Sequence, residues 1–481
     1  MRKLLSILVL FISINSVFAQ STNDTNKANN IQQSRVLSFL SKIKLSGYIQ
    51  TQFQMTDSAG APAYFAGGDF GMYSNKRFTV RRGRIGIAYE ASLTKVSFQI
   101  DITERGIGVK DAYLQVTEPW LKAFSLTSGI FYRPFGFDLN YSSSLRESPE
   151  RSRVIQTLFP MERDLGAMLT FQMPETSKLS FLKIQIGAFG GNAVNTETNS
   201  FFDYIGRIRI SNPIKSSFID YALGFSYYNG KYAHINDFDG NIQDKKFIFI
   251  VKTDSIGNKS FEKDSSYMKT GRREVTPIKR EYLGFDAEIS FNFPFGKTTL
   301  RGEYIFGTQP SPIGELTGPN YLYNSSSISP TGMYLGIYWN QYSNPLSIRP
   351  GAVQAALRYE NTFIRKFNGA CFYFIQNIWK TRHQLIFKYD WYDPNTDLSG
   401  KDIIGTNITT SADIKYTTMG FGANLFYKNI NLLIFYELVK NEVTSIGPLD
   451  DQNIAKGIFP SSGFTKNVKD NIFTLRLQYK F

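Results

Sequence analysis

KRFTVRRGRIGIAYEASLTKVSFQIDITERGIGVKDAYLQ, residues 76–115, alternates apolar and polar side chains with a period of two. Ile85, Ile87 and Tyr89 fall on one side; Arg82, Arg84, Gly86, Ala88 and Glu90 fall on the other. Further on, Val96, Phe98, Ile100 and Ile102 alternate with Lys95, Ser97, Gln99, Asp101 and Thr103. Period two marks a strand with one face in an apolar medium and the other in a polar one. The stretch reads as three amphipathic strands joined by two tight connections. A turn near Ser92–Leu93 sets Arg84 opposite Asp101 and Glu90 opposite Lys95.

The rest of the chain says which face meets which medium. A soluble chain of 481 residues would split into domains and show helical periodicity, which is nearly absent after residue 45. Aromatics are 15% of residues, a level that girdles at two membrane interfaces would explain. The single cysteine, Cys371, excludes an intrachain disulfide. Two histidines, His234 and His383, leave little for histidine-based catalysis or zinc. Asp393-Pro-Asn395-Thr-Asp397 opens like a calcium loop, but Leu398 and Ile404 stand where the glycine and the bidentate glutamate are needed, so a turn is expected. No enzyme, metal or cofactor is implied.

At the N-terminus, Arg2 and Lys3 precede an apolar run, Leu4–Ile14, and Val17-Phe18-Ala19 suits cleavage before Gln20. Residues 1–19 are expected to be a cleaved signal peptide, the run being too short for the ~30 Å hydrocarbon core. No later stretch reaches the roughly 18 apolar residues of a spanning helix. Loss of Arg2 and Lys3 takes the formal charge from +14 to +12. The expected partners of an exported basic protein are small anionic solutes and lipopolysaccharide; nucleic acid is not among them.

Residues 20–43 read as a flexible periplasmic segment and 44–481 as a succession of strands, near 16 in number. Two of these are expected at Tyr334–Gln341 and Val353–Thr362. Long connections alternate with short ones, as in bacterial outer-membrane barrels. Residues 134–163 break the rhythm with a mixed-charge connection too long to be a plain turn, placed to lie outside or fold inward. A larger polar insertion covers 229–280, with a hairpin around Phe247–Val251. The final strand puts Phe473, Leu475, Leu477, Tyr479 and Phe481 on one face, and Thr474, Arg476, Gln478 and Lys480 on the other. An apolar edge at the very end would be a liability in water. The fold expected is therefore an all-β transmembrane antiparallel barrel, with long extracellular loops and short periplasmic turns. Its apolar faces meet outer-membrane lipid and its polar faces line a wet lumen.

Six arginines are the candidate anion-binding and pore-lining residues: Arg82, Arg84, Arg133, Arg163, Arg207 and Arg209. Guanidinium is always charged and pairs bidentately with carboxylate or phosphate. A column of such groups passes anions between sites of modest affinity. Arg84 is equally well placed to brace the wall against Asp101. Arg133, Arg207 and Arg209 lack a carboxylate two residues away on their own strands, which favours them as anion sites.

RRGRIGIAYE (81–90), GIGVKDAYLQV (106–116), GIFYRPFG (129–136) and ERDLGAML (162–169), with the terminal YKF, resemble the phosphate-selective porin O/P family. The resemblance is carried mainly by residues 45–175. It implies a barrel of about 16 strands, a homotrimer, passage of anions including phosphate, and an inward-folded loop within 134–163. The chain departs from the pattern at Met161-Glu162, where a glycine is expected before the Arg-Asp pair. The function expected is passive diffusion of small hydrophilic solutes with an anion preference. Two alternatives remain open. One is a general or oligosaccharide pore using Phe131 and Phe189 as stacking platforms; the other is a surface-interaction barrel acting through 229–280.

Overall fold

The computed structural model describes residues 37–481 except 105, 195–196, 198, 213–217, 237–244, 268–274, 313–360, 406–407 and 447–462. Its strands are β1 (Ile43–Thr56), β2 (Lys76–Ala91), β3 (Thr94–Thr103), β4 (Gly106–Thr117), β5 (Phe124–Tyr132), β6 (Arg163–Gln172), β7 (Leu182–Phe189), β8 (Asp203–Ser211) and β9 (Ile219–Ile235). Then follow β10 (Ile248–Thr253), β11 (Lys259–Lys263), β12 (Val275–Phe293), β13 (Gly296–Pro312), β14 (Thr362–Asn377), β15 (Gln384–Asp393), β16 (Tyr416–Tyr427), β17 (Ile430–Asn441) and β18 (Ile472–Lys480). β1 pairs with β2 on one side and β18 on the other, so the sheet closes. β9 pairs directly with β12 and leaves β10–β11 as a hairpin outside the ring. The wall is a closed antiparallel barrel of 16 strands.

Closure needs no side chains. The Gly47 N–H donates to the Phe481 carbonyl at 3.1 Å, and the Phe481 N–H donates to the Gly47 carbonyl at 2.9 Å. The Phe481 ring lies where a Cβ on residue 47 would stand, so only glycine lets the terminal strand seat there. With every wall strand paired on both sides, the edge hazard of the last strand disappears.

The two faces are inverted relative to a water-soluble protein. Gln50, Gln52, Gln54, Arg82, Thr474 and Arg476 are buried inside, while Leu45, Ile87, Phe98, Leu126, Ile186 and Leu477 are exposed outside. An exposed apolar band around a polar interior is what a hydrocarbon medium outside and water inside select. The fold is thus that of a transmembrane β-barrel. β2–β3 keeps the register set by the turn at 92–93, with Arg84 opposite Asp101 and Glu90 opposite Lys95.

Two β-bulges break the strict alternation. Opposite β1, Arg81 is an extra residue between the pairs Thr51–Val80 and Gln50–Arg82. Opposite β3, Lys110 is extra between Ile100–Val109 and Gln99–Asp111. A bulge re-aims a side chain, and each of these adds a cation beside an inward-facing charge.

The wall rises further than periodicity suggests. β9 continues to Ile235 and β12 starts at Val275, so the polar insertion is shorter than 229–280. Here the outward face turns polar, with exposed Lys231 and Lys279, while Tyr232 and Ile278 still pack inward. β13 pairs directly with β14 from Thr298 to Pro312. The strand expected at 334–341 and all but the last two residues of that expected at 353–362 lie outside the described residues. β10 runs parallel to the start of β14, and Phe249 stacks on Phe363 at 4.8 Å. These rings join Phe261, Leu398, Ile403, Ile414, Phe464 and Val468 in a second core.

Candidate functional site: an arginine-clamped loop across the bore

The thirty residues between β5 and β6 do not stand away from the barrel. They enter it and are fixed at two places by different physics. In the ring order, β2 lies opposite β12, which β9 and β13 flank. The loop touches both arcs, and so crosses the bore.

The first anchor is apolar. Phe135 packs against Phe159 at 5.2 Å, and both rings sit on the stacked pair Tyr228–Tyr282, 4.7 Å apart, from β9 and β12. Val154, Ile155 and Leu158 of a short helix, Arg153–Leu158, complete this cluster. Two wall glycines make room for it. A Cβ at position 284 would come 2.9 Å from Phe135, and one at position 369 would come 2.7 Å from Val154. Polar contacts fix the depth. The Gly136 N–H donates to Ser226 Oγ at 3.0 Å, and the Asp138 N–H donates to Glu303 Oε2 at 2.8 Å. The Asp138 carboxylate then accepts from the Ser152 N–H at 2.8 Å and Oγ at 2.9 Å, tying the start of the loop to the start of its helix.

The second anchor is ionic. Glu150 accepts from Arg81 at 2.7 Å and Arg82 at 2.6 Å, both on β2, and from Arg476 on β18 at 3.1 Å. Arg476 also donates to the Pro149 carbonyl at 2.7 Å. Burial alone would raise the Glu150 carboxyl, but Arg81, Arg82 and Arg476 hold it well below its ordinary 4.5. On the facing arc, Arg301 of β13 binds Glu147 at 3.0 Å and Tyr373 of β14 meets Ser148 at 3.0 Å.

Glu162 closes the loop. It has a positive φ of 63°, the left-handed region that suits the glycine expected there. Its carboxylate is held by Arg151 and by Arg163 at 2.5 Å, with Arg84 at 3.9 Å. Burial would raise this carboxyl too; Arg151, Lys110, Arg163 and Arg84 keep it well below 4.5. The ion pairs stand where a glycine would have removed the backbone strain. Burial, followed by the like charge of Arg146, pulls the Arg151 guanidinium down to about 9.

Charges do not balance near these anchors. Arg81, Arg82, Arg476 and Arg146 gather around Glu150. Arg84, Lys110, Arg151 and Arg163 gather around Glu162, Asp101 and Asp111. Cations are in excess at both. On β15 and β17, close to β18 in the ring, Lys388 instead meets two carboxylates, Asp390 at 2.8 Å and Glu437 at 3.7 Å. A cavity of about 30 Å³ lies there, reached by Arg151 and Arg153. Arg153 itself is sandwiched between Phe65 and Tyr416, 4.2 and 4.1 Å from the rings.

Of the six arginines singled out in the sequence, Arg82, Arg84 and Arg163 gather at these anchors. Arg133 lies 3.6 Å from Asp164 and covers the Phe159 ring. Arg207 is bidentate to Asp286 of β12, at 2.9 Å to each oxygen. The absence of a carboxylate two residues away on its own strand therefore did not leave Arg207 unpaired. The partner comes from a strand nearly eighty residues away. Arg209 faces the lumen half-buried, with no ion-pair partner among the described residues. Phe131 and Phe189 are not free platforms. Their rings, 5.5 Å apart, are buried in the cluster beneath the loop. Arg81, Arg146, Glu150 and Arg476 complete the site without having been singled out. Arg81 was hidden by the bulge, Arg146 and Glu150 by the loop, which has no periodicity to read.

No protein-family model matches the chain, and no curated protein matches it. Among solved structures it is similar to OprB of Pseudomonas putida, at 8% identity over 94% of this chain and 97% of that one, with a TM-score of 0.49. It is also similar to an anion-selective porin from Comamonas acidovorans, at 10% identity over 91% and 99%, with a TM-score of 0.47. A third is the outer membrane channel DcaP of Acinetobacter baumannii, at 11% identity over 91% and 97%, with a TM-score of 0.45.

Proposed function

We propose that the protein is an outer-membrane porin: a passive, water-filled pore for small hydrophilic solutes that prefers anions. One observation carries the reading, the loop held across a polar-lined barrel by arginines that outnumber their carboxylates. A loop in the bore narrows it, and the excess positive charge in a confined, low-dielectric passage raises the local concentration of anions. The apolar outer band faces lipid and lipopolysaccharide. The resemblance of residues 45–175 adds a homotrimer, and phosphate among the candidate anions. An oligosaccharide pore is less favoured because Phe131 and Phe189 are buried. A surface-interaction role is less favoured because the described part of the insertion packs into the second core through Phe249 and Phe261.

Reconstituted into liposomes, the purified protein should let small sugars and amino acids in at rates proportional to their gradients. Failure of all of them to enter would overturn the pore. Arg209→Ala should lower the anion-to-cation permeability ratio without loosening the fold, since no described partner is orphaned. Arg207→Ala should lower it too, but at a cost of about 3–5 kcal/mol, because Asp286 is left buried and unpaired. Thermal melting in detergent separates the two. Equal stabilities would contradict the assignment of Arg207 as a wall brace.

A further inference from the structure

The cavity beside the loop helix is lined by three carboxylates: Asp390 of β15, Glu437 of β17 and Asp470, just before β18. Asp390 and Asp470 are each 2% exposed, yet the Oδ1 atom of each has no hydrogen-bond partner among the described residues. Two cations are shared among the three acids. Lys388 lies 2.8 Å from Asp390 and 3.7 Å from Glu437, and Arg153 attracts Glu437 and Asp470 from between its two aromatic rings. Arg151 also reaches the cavity, but it is engaged by Glu162 and by the carbonyls of Asp138, Leu139 and Tyr141. Asp57 adds a further negative charge beside Asp470. Burial raises the Asp470 carboxyl to about 6, which leaves it ionised at neutral pH. Negative charge is thus in excess here, the reverse of the loop anchors. Buried carboxylate oxygens without donors are strongly unfavourable, and buried polar groups find partners.

We infer that this cavity binds the primary ammonium group of a small amine, with Asp390, Glu437 and Asp470 as its acceptors. The inference goes beyond the anion preference, which concerns the opposite charge at other residues. A primary ammonium is a compact charge with three N–H donors, which supply what these oxygens lack. The space, about 30 Å³, admits roughly two atoms of water size, the nitrogen and the carbon that bears it. Pro62, Ala63, Ala66, Val439 and Ile472 give that carbon an apolar side to rest on. Pro62, Phe65 and Gln156 are only half-buried, so lumen water reaches the lining. Among the described residues no three acids stand close enough to share a metal ion, so a metal is not the fitting cation. A quaternary ammonium has no N–H to donate and is too large.

The test is saturation-transfer NMR on the purified protein in detergent at neutral pH, with methylammonium chloride as the probe. The methyl signal should saturate with concentration. Neither tetramethylammonium nor potassium, at the same ionic strength, should displace it. Asp470→Asn removes a charge without touching the Lys388 pair. It should raise the dissociation constant about tenfold or more, the effect expected when a charge-assisted bond is lost. Asp390→Asn should do the same, at some cost to the wall because Lys388 loses its nearer partner. Glu175→Gln, on an exposed turn, should change nothing. A signal that is absent or rises linearly leaves the cavity to water and overturns the site. Displacement by tetramethylammonium or potassium overturns it too, as does a constant unchanged in Asp470→Asn or in a folded Asp390→Asn. None of these outcomes bears on the anion preference, which is read from the sign of the zero-current potential.

Discussion

Replacing Glu150 with alanine is expected to release one side of the inward loop and make the channel noisy. The carboxylate is shared by Arg81, Arg82 and Arg476, at 2.7, 2.6 and 3.1 Å, and all four side chains are largely or wholly buried. Removing one partner of a buried ionic cluster costs about 3–5 kcal/mol, because the remaining charges stay desolvated and unpaired. Here three cations would repel one another, and the Pro149 carbonyl would be the loop's last direct tie to Arg476. Single-channel recordings should show frequent, large conductance steps, with a stronger anion preference from the lost negative charge. Quiet recordings of unchanged selectivity would mean that the loop is held elsewhere. The same cluster predicts how the wild type responds to acid. A carboxyl held below its ordinary 4.5 stabilises docking fully above that value and loses the contribution as pH falls through its lowered one. Conductance should therefore stay flat from about pH 8 to pH 5, and loop noise should appear only well below 4.5.

Phe135→Ala should undo the other anchor. The ring is fully buried against Phe159, Tyr228 and Tyr282, and truncating a phenylalanine in such a cluster costs about 3–5 kcal/mol. The loss falls on loop docking rather than on the barrel, whose closure rests on backbone bonds such as those joining Gly47 and Phe481. Proteolysis from outside should then cut within residues 134–162, while the barrel still migrates as a folded species on unheated gels. A loop as resistant as in the wild type would show that the ionic side suffices. The two anchors share one rigid segment, so the double variant should lose more than either single one but less than their sum.

The wall was legible because a strand in a membrane must alternate and must be paired on both sides. Ile85, Ile87, Val96 and Phe98 disclosed the apolar face, and the apolar face ending in Phe481 disclosed the medium. Register followed from one turn, which placed Arg84 against Asp101 as the structure has it. Three things were not legible, each for a physical reason. Bulges add a residue without changing composition, so Arg81 and Lys110 could not be assigned a face. Pairing between distant strands leaves no local trace, so Asp286 was not visible as the partner of Arg207. Loops are positioned by the surface they land on, so Glu150 gained meaning only beside Arg81, Arg82 and Arg476. Position 162 is the converse. The sequence pattern asked for glycine, and the left-handed backbone there agrees, although glutamate occupies it.

The zero-current potential across a planar bilayer under a steep KCl gradient tests the central claim most directly. With cations outnumbering carboxylates where the loop meets Glu150 and Glu162, chloride should cross faster than potassium. The dilute side should then take the negative sign that chloride flux gives it. The preference should weaken as salt rises and screens the arginines. A potential of the opposite sign, or one that stays near zero at low salt, would contradict the account.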